Sequence, residues 1–250
     1  MNLIDDVRQR GGIARTRDLI DAGYSRHALA RAVTTDQLRR PRQGWVHVPG
    51  TDVMLVRAAV SGVLLSCITQ ARRLELWVAD EDETVHVAAA SPSSVIVNSA
   101  HVHWSRPLIP RRPGLLEDPV ENVLAIVAEC QPHERALAVW DSAFNRRLVD
   151  RETFRRFELR PAARRLLREV NPFHDAGTET FVHTRLRWLR LPIRPQAWLY
   201  GHRVDFLIGE RLVLQIDGGH HIGAQRDADN AHDLPQVVAF QPAGEANDPD

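Results

Sequence analysis

The chain has 250 residues, 44% of them apolar, with 32 basic side chains balancing 32 acidic ones. This length and apolar fraction suffice for one large core or two small ones, and they exclude a disulfide miniprotein and a wholly disordered chain. Zero net charge excludes a uniformly basic coat for nucleic acid, yet the charge is uneven: nine arginines face five acids in residues 1–50, eleven face five in 151–200, and three face nine in 201–250. Every basic residue is arginine and the chain holds no lysine, so the location of the arginines carries more information than their identity. Cys67 and Cys130 stand far apart without a CxxC or CxxH partner, so neither a disulfide framework nor a zinc site is expected, and a reducing, cytoplasmic setting fits. The acidic start lacks the features of a signal peptide, and no apolar run reaches the roughly 18 residues of a membrane span, so no membrane partner is expected.

Along the first fifty residues, Leu3, Ile4 and Val7 recur at helical spacing and Gly11-Gly12 stops that helix. Thr16 reads as the N-cap of a second helix ending at Ala22-Gly23, and Ser25 as the cap of a third, Arg26–Val33, with Ala28, Leu29 and Ala32 facing inward. The tight Ala22-Gly23-Tyr24 turn between the last two suits a helix-turn-helix. Residues 38–48 then read as strand, glycine-containing turn and strand, the wing of a winged helix. Arg26, His27 and Arg31 project from the third helix, with Arg39, Arg40 and Arg42 on the wing. Guanidinium groups at this density neutralise phosphates and reach base edges in a groove of double-stranded DNA. A small helical bundle with a solvated arginine face is the bland alternative, outweighed because spacing, turn and wing coincide. Through Gly11-Gly12-Ile13, Thr16–Leu19, Ala22–Ser25 and Leu38–Val46, the segment resembles the N-terminal winged helix of AbiEi-type antitoxins, which implies a transcriptional regulator with a cognate toxin protein as partner.

Residues 51–170 read as an α+β middle domain. Helices are expected at 53–60 and 64–74, strands at 84–90, 95–97 and 102–104, and helices again at 119–130, 134–144, 151–157 and 161–170. His101 and His103 share one face of a strand and His86 lies on another, but no further ligand of suitable spacing accompanies them, and no metal is assigned. This stretch resembles the middle of AbiEi-type proteins through Ser66, Ala71, Leu74, His103-Trp104-Ser105 and Asp141–Phe144, without a catalytic group. Arg155, Arg156, Arg160, Arg164, Arg165 and Arg168 form a basic stripe that is either a second DNA contact or a solvated face.

From residue 171 the chain changes character. A helix running to about Arg190 carries Glu179 in its first turn, where a carboxylate suits the helix dipole. Strands follow at 193–200, 203–208 and 211–217. Gln215 and Asp217 share a face of the last of these, and Asp205 sits between Val204 and Phe206. Acidic groups on apolar strands are costly unless a cation, a hydrogen bond or water receives them, and oxygen donors of this kind suit Mg²⁺. Gly177–Glu179, Gly201–Gly209 and Leu212–His221 resemble the endonuclease-like domain related to very-short-patch-repair nucleases, within the PD-(D/E)xK restriction-endonuclease fold. The resemblance implies metal ligands at Glu179, Asp205 and Gln215, and catalytic roles for Asp205, Gln215, Asp217 and one of His220 and His221. Three departures stand against activity: Gln215 replaces an acid, lysine is absent, and the chain ends in a stub of strand at 237–240 and a polar, acidic tail.

The expected fold class is thus α+β: a winged helix-turn-helix over 1–50, the middle domain over 51–170, an α/β restriction-endonuclease-like domain over 171–240 that is truncated, and a disordered tail over 241–250. Two functions remain open. One is a DNA-binding protein whose C-terminal domain is an Mg²⁺-dependent DNA endonuclease. The other is an antitoxin-like transcriptional regulator whose nuclease-like domain is inactive.

Overall fold

The structure, a computed structural model, describes residues 2–79, 84–89, 99–172, 177–199, 201–215 and 238–239. It begins with α1 (Leu3–Gln9), β1 (Ile13–Arg15), α2 (Thr16–Asp21), α3 (Arg26–Thr34) and β2 (Trp45–His47). Asn2 opens α1 by accepting the Asp5 N–H at 2.9 Å, and Ser25 opens α3 by accepting the Ala28 N–H at 3.1 Å, each satisfying an amide the helix leaves orphaned. Thr16 is not a cap; it is the first residue of α2, and Arg15 holds the cap position without a side-chain bond. The wing is also slimmer than expected. Its first arm is Arg39 alone, exchanging backbone bonds of 2.8 and 2.9 Å with His47, because Pro41 has no N–H with which to extend the ladder. β2 pairs in addition with β1, Ile13 opposite His47 and Arg15 opposite Trp45. Val7, Leu19, Leu29, Leu38 and Val46 meet beneath the helices, and each such burial contributes about 1.5–3 kcal/mol.

The middle of the chain holds α4 (Val53–Ser61), β3 (Val63–Leu65), α5 (Cys67–Arg73), β4 (Val85–Ala89), β5 (Ala100–His103), α6 (Val120–Cys130), α7 (His133–Asn145), α8 (Arg151–Arg155) and α9 (Pro161–Glu169). Gly62, left-handed at φ 70°, ends α4 and turns the chain directly into β3. Leu64 and Leu65 therefore lie in a strand and not in the helix expected of them; both are 2% exposed, and a strand buried on both faces shows no alternation to betray it. The sheet runs in the order β3-β4-β5, antiparallel then parallel, with His86 beside His101 and Ala88 beside His103. Residues 95–97, expected as a strand, lie outside the described residues. Helices α5, α6, α7 and α9 pack a large core around Trp140, Phe154 and Leu124. Another cluster, Ile13, Leu55, Ala58, Val63 and Val87 with Trp45 against it, joins the N-terminal β1-β2 pair to the middle of the chain.

One buried carboxylate organises this region. Asp118 receives both Nε and Nη2 of Arg111 at 2.8 Å, the Ser66 hydroxyl at 2.7 Å and the Asn122 amide at 3.1 Å. Arg111 also donates to the Ala89 carbonyl at 3.2 Å, so the last residue of β4 is held too.

The chain then runs through α10 (Gly177–Leu186), a 3-10 turn (Arg187–Leu189), β6 (Ile193–Leu199), β7 (His202–Ile208), β8 (Leu212–Leu214) and β9 (Val238–Ala239). These strands form one antiparallel sheet in chain order. Helix α10 docks on α7: the Thr180 hydroxyl donates to Asp141 at 2.7 Å, the same carboxylate accepts the Asn171 N–H at 2.7 Å, and Phe181 meets the edge of Trp77 at 5.3 Å. The stub of strand expected at 237–240 is present as β9, while the tail over 241–250 lies outside the described residues. No helix among the described residues is long and apolar enough to cross a membrane.

Two stability measurements probe these buried charges. Asp118→Ala strands the Arg111 guanidinium, and urea denaturation should show a loss of about 3–5 kcal/mol; a loss below about 1 kcal/mol would sink the assigned role. At the end of α9, burial raises the Glu169 carboxyl, but bonds from His133 (2.9 Å) and Arg165 (3.0 Å) outweigh it and hold the group at about 2. Its stabilisation is therefore complete above the ordinary carboxylate range and fades as pH falls through that range toward about 2. The stability gap between wild type and Glu169→Gln should narrow between about pH 6 and about pH 3; a gap that stays constant would contradict the pairing.

Candidate nucleic-acid interface

The third helix presents two faces. Leu29 and Ala32 turn inward at 3% and 5% exposure, while Arg26, His27 and Arg31 are exposed. At 1.5 Å per residue the helix is roughly 13 Å long and slim enough to lie in a major groove about 12 Å wide. Clefts flank it on either side. Arg26 and Arg40 line one, with Arg17 and Gln43 across it; His27 and Arg31 line the other, against Arg8 of α1. Among the described residues Arg26, His27, Arg31 and Arg40 enter no ion pair, so their charges or donors remain available to a polyanion.

The remaining two of the six side chains expected at this surface are engaged within the protein. Arg39 is exposed but forms a two-pronged pair with Asp36, both bonds 3.1 Å, which holds the Asp36 carboxyl below its usual range. Arg42 turns away from α3, its Nη1 lying 3.5 and 3.4 Å from the Ala59 and Val60 carbonyls in the last turn of α4, where a cation suits the helix dipole. The positive charge left outside such contacts around α3 is thus that of Arg26, Arg31 and Arg40, with His27 beside them.

Residues 2–44 match the family model described as a transcriptional regulator, AbiEi antitoxin. That stretch holds α1, β1, α2, α3 and the wing turn, and with them all six side chains just placed. No curated protein matches the chain. The AbiEi match stops at Gly44.

Of the residues expected to build a nuclease site, the structure places two. Phe206 pairs with Leu214 between β7 and β8, and the same register carried one residue further sets Asp205 opposite Gln215. Across the other edge of β7, Pro195 pairs with Phe206 and Ala197 with Val204, which sets Asp205 opposite Gln196. Gln196 has φ 53°, a left-handed backbone that costs a residue with a side chain about 1–3 kcal/mol. Asp205 is half-buried and Gln215 exposed. The backbone of Glu179 lies in α10, but its side chain, together with Asp217, His220 and His221, falls outside the described residues, as does the helix expected at 225–233. One carboxylate and one amide oxygen on neighbouring strands are compatible with Mg²⁺, which accepts few protein ligands and keeps several waters.

The middle of the chain overturns one expectation. Cys67 and Cys130 do not stand apart, and His86 and His103 do not lack further ligands: one sulfur or ring nitrogen from each of these four lies within 4.8 Å of every other. They come from the start of α5, from β4, from the end of β5 and from the end of α6. His101, the strand neighbour that drew attention to His103, stacks on His86 at 4.9 Å but stays outside the set. Hydrogen bonding from Cys67 first, then from His103, His86 and Gln131, lowers the Cys130 thiol below its ordinary value against the opposing effect of burial. Ligands separated by more than a dozen residues each carry no local motif, and only the parallel pairing of β4 with β5 reveals the cluster.

Proposed function

We propose that this protein is a DNA-binding transcriptional regulator of the antitoxin type, docking α3 in the major groove of double-stranded DNA with the Arg40 turn on the flanking backbone. The observation that carries this reading is the set Arg26, His27, Arg31 and Arg40, exposed around one helix and outside any ion pair among the described residues, within the segment that matches the AbiEi model. Arg26 and Arg40 share one cleft and neutralise phosphates on that side of the groove, while Arg31 and His27 serve the other. A cognate toxin protein is the partner this family description implies. The exposed stripe of Arg156, Arg160, Arg164 and Arg168 offers a second place where the same polyanion can rest.

Fluorescence anisotropy with duplex DNA over a salt series tests the interface. Replacing Arg26, Arg31 and Arg40 together by alanine should weaken binding at least about tenfold and lower the slope of log K against log salt by up to about 2.7, at roughly 0.9 for each phosphate no longer neutralised. Arg39→Ala should leave the slope unchanged, since Asp36 already neutralises that charge. Wild-type affinity and slope in the triple variant would remove the winged-helix reading.

A nuclease activity is the second reading, favoured by the alignment of Asp205 with Gln215 and Gln196 across three adjoining strands. In it, Asp205 and Gln215 would hold Mg²⁺, with Glu179 contributing from α10, and the ion would supply activation of a water for attack on a phosphodiester. Asp217 and one of His220 and His221 would manage the proton. Supercoiled plasmid with Mg²⁺ decides the matter: nicking that Asp205→Ala abolishes without altering DNA affinity establishes the enzyme, and binding without nicking leaves the regulator alone.

A further inference from the structure

We propose that Cys67, His86, His103 and Cys130 form a structural site for one Zn²⁺ ion in the middle domain. Their spacing matches the ion. Zinc holds imidazole nitrogen at about 2.0 Å and thiolate sulfur at about 2.3 Å in a tetrahedron, whose edges are then roughly 3.3 Å between two nitrogens and 3.6 Å between nitrogen and sulfur. The His86 Nδ1 to His103 Nε2 separation is 3.1 Å and the Cys130 Sγ to His86 Nδ1 separation is 3.6 Å. Both edges lie within about 0.2 Å of what the ion requires.

Charge and donor type point the same way. The four donors are two sulfurs and two imidazole nitrogens with no carboxylate oxygen among them, a set that suits zinc and disfavours the hard cations Mg²⁺ and Ca²⁺. Two thiolates and two neutral imidazoles around a doubly charged ion make a neutral unit. Such a unit can sit in the core, where Cys67 is fully buried and His86 is 3% exposed, without the cost of an isolated charge. Four protein ligands leave no open coordination position, so the site holds the fold and does not activate water.

The supporting shell is present as well. The Gln131 amide donates to the Cys130 sulfur at 3.4 Å, the His86 backbone N–H is fixed by the Thr69 hydroxyl at 2.8 Å, and His101 stacks on the His86 ring. Cys67 itself has φ 48°, a left-handed conformation unfavourable for a residue with a side chain and one that a bond to a metal would offset. With a metal in place, β4 and β5 are pinned to the facing ends of α5 and α6.

The full chain, purified under reducing conditions, gives the test. Bound zinc is quantified, and the metal is then exchanged for Co²⁺, whose visible spectrum reports a tetrahedral thiolate environment. The expected result is one zinc per chain, intense Co²⁺ ligand-field bands, and a lower melting temperature for the wild type after chelation. Cys130→Ser and His103→Gln, both at partly exposed ligands, should each weaken Co²⁺ binding at least about tenfold and change the bands, whereas His101→Ala should retain them. A wild-type chain that carries no metal and gives no thiolate bands with Co²⁺ overturns the proposal. So does a Cys67–Cys130 disulfide in protein handled without oxidant, or a melting temperature indifferent to chelation.

Discussion

The buried carboxylate of Asp118 is the constraint on which the β3-β4-β5 sheet and its covering helices depend. A charge at 3% exposure is tolerable only when its acceptor sites are filled, and here four donors from Arg111, Ser66 and Asn122 fill them. Each partner belongs to a different stretch of chain. Ser66 is the hinge between β3 and α5, Asn122 opens α6, and Arg111 reaches on to the end of β4. The sheet and its covering helices are therefore fixed relative to one another by a single anion, and Cys67 and Cys130 inherit their positions from the helices so fixed.

Local pairing, more than the number of arginines, decides what this protein offers to a polyanion. The sequence puts six basic side chains around the third helix and the wing, but Arg39 is met by Asp36 three residues away and Arg42 by the carbonyl end of α4. What remains is a narrower and better-defined surface in which Arg26 and Arg31 flank the helix and Arg40 extends it. A neutral chain can thus carry a cationic N-terminal surface, because its charges are unevenly distributed, nine arginines against five acids in residues 1–50 and three against nine in 201–250.

Several helices were legible from sequence: Ser25 opens α3 as its residue type predicts, and the apolar spacing of α6, α7 and α9 left little choice, whereas the Asn2 cap of α1 was not anticipated. Strand β3 was not, because Val63, Leu64 and Leu65 are apolar without alternation and run straight into a helical pattern. The Arg39–Asp36 pair hid for a different reason, since the turn that brings the two together follows the helix and leaves no periodic trace. The β7–β8 hairpin that carries Asp205 and precedes Gln215 was legible because a hairpin register is short-range. The cysteine and histidine cluster was illegible because its four members are distributed over sixty-odd residues and meet only through a parallel crossover, whose partner strand no local rule specifies.

The packing between the N-terminal β1-β2 pair and the middle of the chain has a mechanical meaning. Ile13 and Trp45 share a core with Leu55, Ala58 and Val87, and Gly114 approaches Arg15 so closely that an added β-carbon would sit 2.5 Å from its side chain. No flexible tether separates the N-terminal helices from this support, so the two turn as one piece. In the proposed regulator, a partner that controls DNA binding would therefore not act by swivelling this unit. It would instead mask the arginine face or change the distance between two such units on the same duplex.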